Sequence, residues 1–245
     1  MPAPRTYRAR VDSGRLQAFE LTVKETDLHV QARGDLRALT RETVLEQRGY
    51  LEGYIRRHPA FAATLTPWPL DEPAPNIVRD MIAAGRAAGV GPMAAVAGAV
   101  AERVGRRLLA HSDEVIVENG GDIFLRTTEP ATIAVFAGDS PLSLRIGIRT
   151  GGGKDPIGVC TSSGTVGHSL SFGRADAVCV TSRSAALADA AATAVGNRVG
   201  SPRDIPAGIE FAKRIAGVLG VVIVVAEKMG VWGAGEVVVL DRKKS

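Results

Sequence analysis

A chain of 245 residues that is 45% hydrophobic but only 4% aromatic can bury a sizeable core, and that core must be built from Ala, Val, Ile and Leu. The formal net charge is +4, with the basic residues scattered apart from Arg56-Arg57, Arg106-Arg107 and Arg242-Lys243-Lys244. Nucleic-acid binding asks for a denser basic stripe with aromatics for stacking, so that class is set aside in favour of a mild preference for anionic small ligands.

The opening MPAPRTYRARVDSGRLQ lacks an apolar h-region, so no secretory signal is expected. The longest apolar run, Val218 to Ala226, has the length of a strand and falls far short of the roughly 18 residues of a spanning helix, so no membrane is expected. Cys160 and Cys179 both fall in apolar strands and read as small buried hydrophobes in a reducing compartment, which makes a cytoplasmic location the expectation. With no CxxC and no neighbouring His pair they do not form a zinc site.

In chain order, residues 5–11, 16–24 and 27–32 alternate apolar and polar and read as antiparallel strands, the last two joined at Glu25-Thr26. Asp35 is placed to cap a helix from about 36 to 57, with an apolar stripe of Leu36, Leu39, Val44, Leu45, Leu51 and Ile55. Residues 59–75 hold five prolines and read as irregular, either a lid-like loop or a surface connector. Asn76 is placed to cap a second helix to about 87, and Pro92 fits the first position of a third helix over 92–110. That third helix is nearly all small residues, Met93 to Ala101. It reads as a buried central helix, or as one whose first N–H groups face an anion.

Strands at 114–118 and 122–126 flank Asn119-Gly120-Gly121, a strong hairpin signal. Residues 131–137 and 143–149 form another pair. The loop Gly151-Gly152-Gly153-Lys154-Asp155 that follows lacks the hydroxyl residue and spaced glycine of a Walker A motif. Strands over 157–182, helices over 184–217 and strands at 218–226 and 236–240 complete the chain. The order ββ-helices-ββ thus occurs over 16–127 and again over 157–240. It predicts one α+β domain over 1–245 with antiparallel sheets, helices on one face and an internal duplication.

The chemistry concentrates around Gly158 to Asn197. Asp189 and Thr193, four residues apart on one helix, share a face and offer a carboxylate and a hydroxyl to a hard cation such as Mg²⁺. The alternative is an Asp favoured by its own helix dipole, with Thr193 bonded to the preceding turn. The loop Thr161, Ser162, Ser163, Gly164, Thr165 through His168 offers hydroxyls and backbone N–H groups to an anion. Gly120 and Gly121 permit close backbone approach beside Glu118, Asn119 and Asp122. No G-x-S-x-G elbow or triad is present, and His29, His58 and His111 belong to no constellation.

These segments resemble a known family. Asn119-Gly120-Gly121-Asp122-Ile123, Thr161-Ser162-Ser163-Gly164 and Leu187 to Thr193 occur in this order in ApbE-like proteins, the FAD:protein FMN transferases. ETDL at 25–28, GVGPMAAVAGAVAE at 89–102, VENGGDIF at 117–124 and CTSSGTVGHSLSFGRADAV at 160–178 look like an uncharacterised branch of that superfamily. The resemblance implies a tunnelling-type fold and a pocket for FAD or FMN. It implies Mg²⁺ held by Asp189, Thr193 and a backbone carbonyl, with Asp189 and His168 as the catalytic candidates. It also implies transfer of FMN from FAD to an acceptor protein, with a homodimer as one possible assembly. The alternative is a non-transferase that binds a purine- or pterin-like heterocycle, with Glu118 pairing to ring nitrogens. The chain departs from the transferase pattern at Pro92, Met93 and Ala94, where that family carries a lysine. It also lacks the His-Ile-Ile-Asp-Pro-Arg-Thr-Gly stretch, for which only His168 stands in.

Overall fold

A computed structural model describes residues 16–164 and 173–240. The expected strand at 5–11, the Arg242-Lys243-Lys244 tail, Thr165 and His168 lie outside the described residues. Eleven strands occur among those described: β1 Gln17–Val23, β2 Thr26–Ala32, β3 Val115–Asn119, β4 Asp122–Arg126, β5 Ala131–Ala134, β6 Ile146–Thr150, β7 Ile157–Ser162, β8 Ala177–Ser182, β9 Val218–Val225, β10 Lys228–Gly233 and β11 Glu236–Val239. The α-helices are α1 Arg37–Arg57, α2 Ala60–Ala63, α3 Asn76–Ala88, α4 Val96–Leu108, α5 Ala185–Gly196 and α6 Ile205–Lys213.

Eight strands form one sheet in the order β1-β2-β3-β4-β7-β8-β9-β10, with every neighbouring pair antiparallel. The order is ββ-helices-ββ on both sides of the β4–β7 junction, with α1 to α4 after β2 and α5 and α6 after β8. A smaller sheet, β11-β6-β5, is built from the segment between β4 and β7 and from the last strand.

Successive side chains of a strand point to opposite faces, so each strand of the large sheet feeds two cores. Val115 and Val117 of β3, Phe124 of β4, Cys160 of β7 and Val178 and Val180 of β8 pack against the helices. Their neighbours Ile116, Ile123, Leu125, Val159, Ala177 and Cys179 pack against Ile133, Ile146 and Ile148 of the small sheet. The helices therefore cover one face, as the α+β reading requires, and the small sheet covers the other. Among the described residues no single helix is long and apolar enough to cross a membrane.

The local differences from the sequence reading have plain causes. α1 starts at Arg37, and Asp35 accepts the Arg37 N–H at 3.0 Å from just outside the cap position, which Leu36 occupies. Pro75, not Asn76, precedes α3; the Asn76 side chain instead accepts from Arg79. The third helix opens as a 3-10 turn, Pro92–Ala95, before α4 begins. The proline-rich stretch contains one helical turn, α2, because Pro59 suits a helix start. It is a fastened connector rather than an open lid. Tyr54 donates its hydroxyl to Asp71 at 2.7 Å and accepts the Trp68 Nε1–H at 3.2 Å, with Phe61 edge-on to both rings. The expected strand at 131–137 ends at Ala134, and β10, with two glycines in six residues, is a strand the hydrophobic pattern did not mark.

Candidate metal centre

The hairpin between β3 and β4 sets the first half of the site. Gly120 and Gly121 take φ of 67° and 105°, the left-handed pair that a two-residue hairpin turn demands. The turn makes Asn119 and Asp122 cross-strand partners, so both side chains emerge on the helix face. Asn119 Nδ2 donates to the Ala97 carbonyl at 3.1 Å, fastening the hairpin to the start of α4. The Asp122 carboxylate is buried, and its Oδ1 has no hydrogen-bond partner among the described residues.

The second half comes from α5. Ser184 caps that helix by accepting the Leu187 N–H at 3.2 Å. Asp189, in the second turn of α5, reaches the start of α4, where its Oδ2 accepts the Gly98 N–H at 2.9 Å. The Ala97 N–H also points at this carboxylate. The anion facing the small-residue helix is therefore a side chain of the same chain. The approach requires glycine at 98: a Cβ there would lie 2.2 Å from the Ala185 carbonyl oxygen and 2.9 Å from Asp189 Cβ. Asp189 itself is half-buried and keeps part of its surface open to solvent.

Burial pushes the Asp189 carboxyl up to about 7, against the opposing pull of the Gly98 and Ala97 N–H groups. Burial also raises Asp122 well above the usual carboxylate range, and repulsion from Asp189 adds to the effect. The Cys160 thiol and the Thr161 N–H lie against Asp122 and work the other way. Cys160 carries one proton for two acceptors, Asp122 and the Ala185 carbonyl at 3.3 Å. Burial, then Asp122 and Asp189, hold that thiol well above its ordinary value. Cys179, on the other face, is pushed up to about 12 by burial. Both cysteines are therefore inert core thiols.

The sheet divides the remaining expected site residues. Glu118 and Thr161 are offset by one from Asn119 and Cys160, so alternation sends their side chains to the face of the small sheet. Glu118 is buried there, and its Oε1 accepts the Gly121 N–H at 2.7 Å. Thr161 is paired with Cys179. Ser162 returns to the helix side at the end of β7. Gly164 donates its N–H to the Ala175 carbonyl at 2.9 Å and packs so closely on Gly173 that a Cβ would lie 2.2 Å from the Gly173 carbonyl oxygen. Thr193, half-buried, lies one turn beyond Asp189 on the same face of α5. Among the described residues no three His, Cys, Asp or Glu side chains gather to hold a metal.

One participant escaped the sequence reading. Glu102, the lone acid in the small-residue run of α4, is buried and accepts from Ser184, Ala185 and Ala186 at the start of α5. A single charge among alanines in a helix expected to be buried was the available signal.

The family described as "AbpE bacteria" matches residues 8–216. A UPF0280 protein of Methanocaldococcus jannaschii is 43% identical over 87% of this chain and 89% of its own length. A UPF0280 protein of Methanococcus aeolicus is 40% identical with the same coverage of each chain. In three dimensions the chain is similar to the apo Pseudomonas stutzeri flavinyl transferase ApbE, with a TM-score of 0.54, 16% identity and coverage of 89% of this chain and 94% of that one. It is also similar to a mutant of the Vibrio cholerae flavin transferase ApbE, with a TM-score of 0.58, 11% identity and coverage of 89% and 97%. At these identities the structural matches speak for the fold.

Proposed function

This chain belongs to the bacterial AbpE family, within the ApbE-like superfamily, and from that premise we propose that it binds a flavin nucleotide together with a hard divalent cation and acts as an FMN transferase. The observation that carries the reading is the juxtaposition of two carboxylates, the buried Asp122, whose Oδ1 has no hydrogen-bond partner among the described residues, and the half-buried Asp189. Two like charges brought together out of water are unfavourable unless a proton or a cation separates them. The carboxylates and the Thr193 hydroxyl are hard oxygens and the neighbouring Cys160 is held as a protonated thiol, which suits Mg²⁺ rather than a thiophilic metal.

Asp122 and Asp189 would hold the ion, with the Thr193 hydroxyl and a backbone carbonyl completing the protein's share. Bound there, Mg²⁺ supplies charge neutralisation for a diphosphate. The chain's own residues do the rest. The Gly98 and Ala97 N–H groups fix the orientation of Asp189. Asn119 holds the hairpin against α4. Ser162, Ser163 and Gly164, at and just beyond the end of β7, would offer hydroxyl and backbone groups to phosphate oxygens. In the transfer, an acceptor hydroxyl oxygen bonds to the FMN phosphorus, the diphosphate bond breaks, AMP leaves and the hydroxyl proton passes to a base; His168 is the candidate for that role.

The heterocycle reading anchored on Glu118 draws less support, because the Glu118 carboxylate is committed to the Gly121 N–H on the face away from Asp189. The deciding experiment incubates the protein with FAD, MgCl₂ and candidate acceptor proteins and follows AMP by chromatography. Release of AMP by the wild type and its loss in Asp189→Ala supports the transferase reading. No AMP from the wild type with any acceptor, or equal release from Asp189→Ala, removes it.

A further inference from the structure

Helices α4 and α5 are tied to each other twice, in opposite senses. Asp189 of α5 accepts the Gly98 N–H at the start of α4 at 2.9 Å. Glu102 of α4 returns the contact: its Oε2 accepts the Ser184 hydroxyl at 2.9 Å, the Ala185 N–H at 2.8 Å and the Ala186 N–H at 3.3 Å at the start of α5. Its Oε1 accepts Nε and Nη2 of Arg106 at 2.9 and 2.7 Å. Each carboxylate thus sits at the positive end of the other helix, where a negative charge is favoured.

The spacing makes this a single device. Gly98 and Glu102 are one turn apart on α4, and Ala185 and Asp189 are one turn apart on α5. The four positions close a figure in which sliding one helix along the other by a residue, about 1.5 Å, breaks both ties together. No slack exists at the crossing, because the Ala185 carbonyl occupies the space a Cβ on Gly98 would need.

We propose that Glu102 is a positioning residue for the metal centre: it never touches the ion, and it sets the register of α5 on α4 that brings Asp189 opposite Asp122. The proposal rests on the metal-site reading above and extends it to a residue outside the ligand set.

The test uses the full chain with glycine-selective ¹⁵N labelling and two substitutions, Glu102→Gln and Glu102→Asp. The first removes the charge and leaves the length. The second keeps the charge and shortens the reach by one methylene. Two readouts are taken: hydrogen exchange of the Gly98 amide, which requires no ligand, and the dissociation constant for Mn²⁺ alone. Both variants are expected to exchange the Gly98 amide at least tenfold faster and to bind Mn²⁺ at least tenfold more weakly, with far-UV circular dichroism unchanged. An unchanged Gly98 amide in Glu102→Gln overturns the proposal whatever the metal does. Wild-type Mn²⁺ affinity in Glu102→Asp, with loss in Glu102→Gln, overturns it in favour of a long-range charge effect. Failure of the wild type to take up Mn²⁺ removes the metal-site reading and this proposal with it, a result distinct from wild-type uptake that survives both substitutions. Should Glu102→Gln fail to fold, Ser184→Ala removes one of the three donors and is expected to move both readouts in the same direction; no movement in either overturns the proposal.

Discussion

Gly98→Ala sets helix propensity against packing in a way the structure decides. Alanine is favoured over glycine in a helix by about 0.8–1.0 kcal/mol, so propensity alone makes this substitution stabilising. At this position the new methyl would lie 2.2 Å from the Ala185 carbonyl oxygen, 2.7 Å from its carbon and 2.9 Å from Asp189 Cβ. Backbone atoms of α5 cannot rotate aside, so α4 and α5 must separate. Overpacking of this kind costs about 1–3 kcal/mol. Separation also lengthens the bond from the Gly98 N–H to Asp189, a hydrogen bond to a charged acceptor worth about 1.5–3 kcal/mol. The balance is a net loss of roughly 2–4 kcal/mol, because both unfavourable effects outweigh the propensity gain. Urea unfolding followed by circular dichroism measures it as a lower midpoint at unchanged slope. A midpoint equal to or above that of the wild type would show that α4 and α5 are not in the close contact described and would refute the reasoning.

The elevated Asp189 value sets a pH dependence for the protein held in EDTA. Since its folded value is about 7 against an ordinary 3.8, the native state holds a proton that the unfolded chain has released between those limits. The stability this contributes is complete below about pH 4 and is lost as pH rises through about 7, at most about 4 kcal/mol and less after solvent screening. Thermal scans at pH 5 and pH 8 should show the lower Tm at pH 8, and a flat or rising trend attributable to this site would contradict the burial of the pair. Asp122→Asn relieves the repulsion and is expected to raise metal-free stability at pH 8 by about 1–2 kcal/mol while weakening divalent-cation binding at least tenfold, a gain and a loss from one change. Glu114→Gln is the control. Glu114 is fully buried at the far end of β3's approach, bonded to Arg33 at 2.8 Å and to the Thr128 N–H and hydroxyl at 2.8 and 2.7 Å. The substitution should cost about 2–3 kcal/mol of stability and leave cation affinity untouched.

The fold was readable where the hydrophobic pattern and turn chemistry agree. The strands at Gln17–Val23 and Thr26–Ala32 and the Asn119-Gly120-Gly121 turn stand where the sequence places them, and the small-residue helix does so after its 3-10 opening, because each is determined by local geometry. Partition of the strands between two sheets was not readable: β5 and β6 look like any other pair, and only the long-range partner β11 takes them out of the main sheet. β10 was hidden for a related reason, since an edge strand needs one apolar face at most and Gly230 and Gly233 dilute even that.

For the candidate site, the sequence singles out Asp189, Thr193 and the hairpin as candidates but not the face on which each side chain emerges. Glu118 and Asn119 are adjacent in sequence and end on opposite sides of the sheet, because a one-residue step in a strand reverses direction. Likewise the anion facing the start of α4 was legible as a need for negative charge, whereas its identity as Asp189, ninety-one residues beyond Gly98 in sequence, depends on how the two helices pack.

The central claim is that Asp122 and Asp189 form a cage of hard oxygens for one divalent cation. Isothermal titration of Mg²⁺ into the metal-free protein at pH 8 tests it directly. The expected result is one site per chain in the wild type, weakened at least tenfold in Asp122→Asn and in Asp189→Asn. Absence of binding by the wild type, or an affinity that both substitutions leave unchanged, would contradict it.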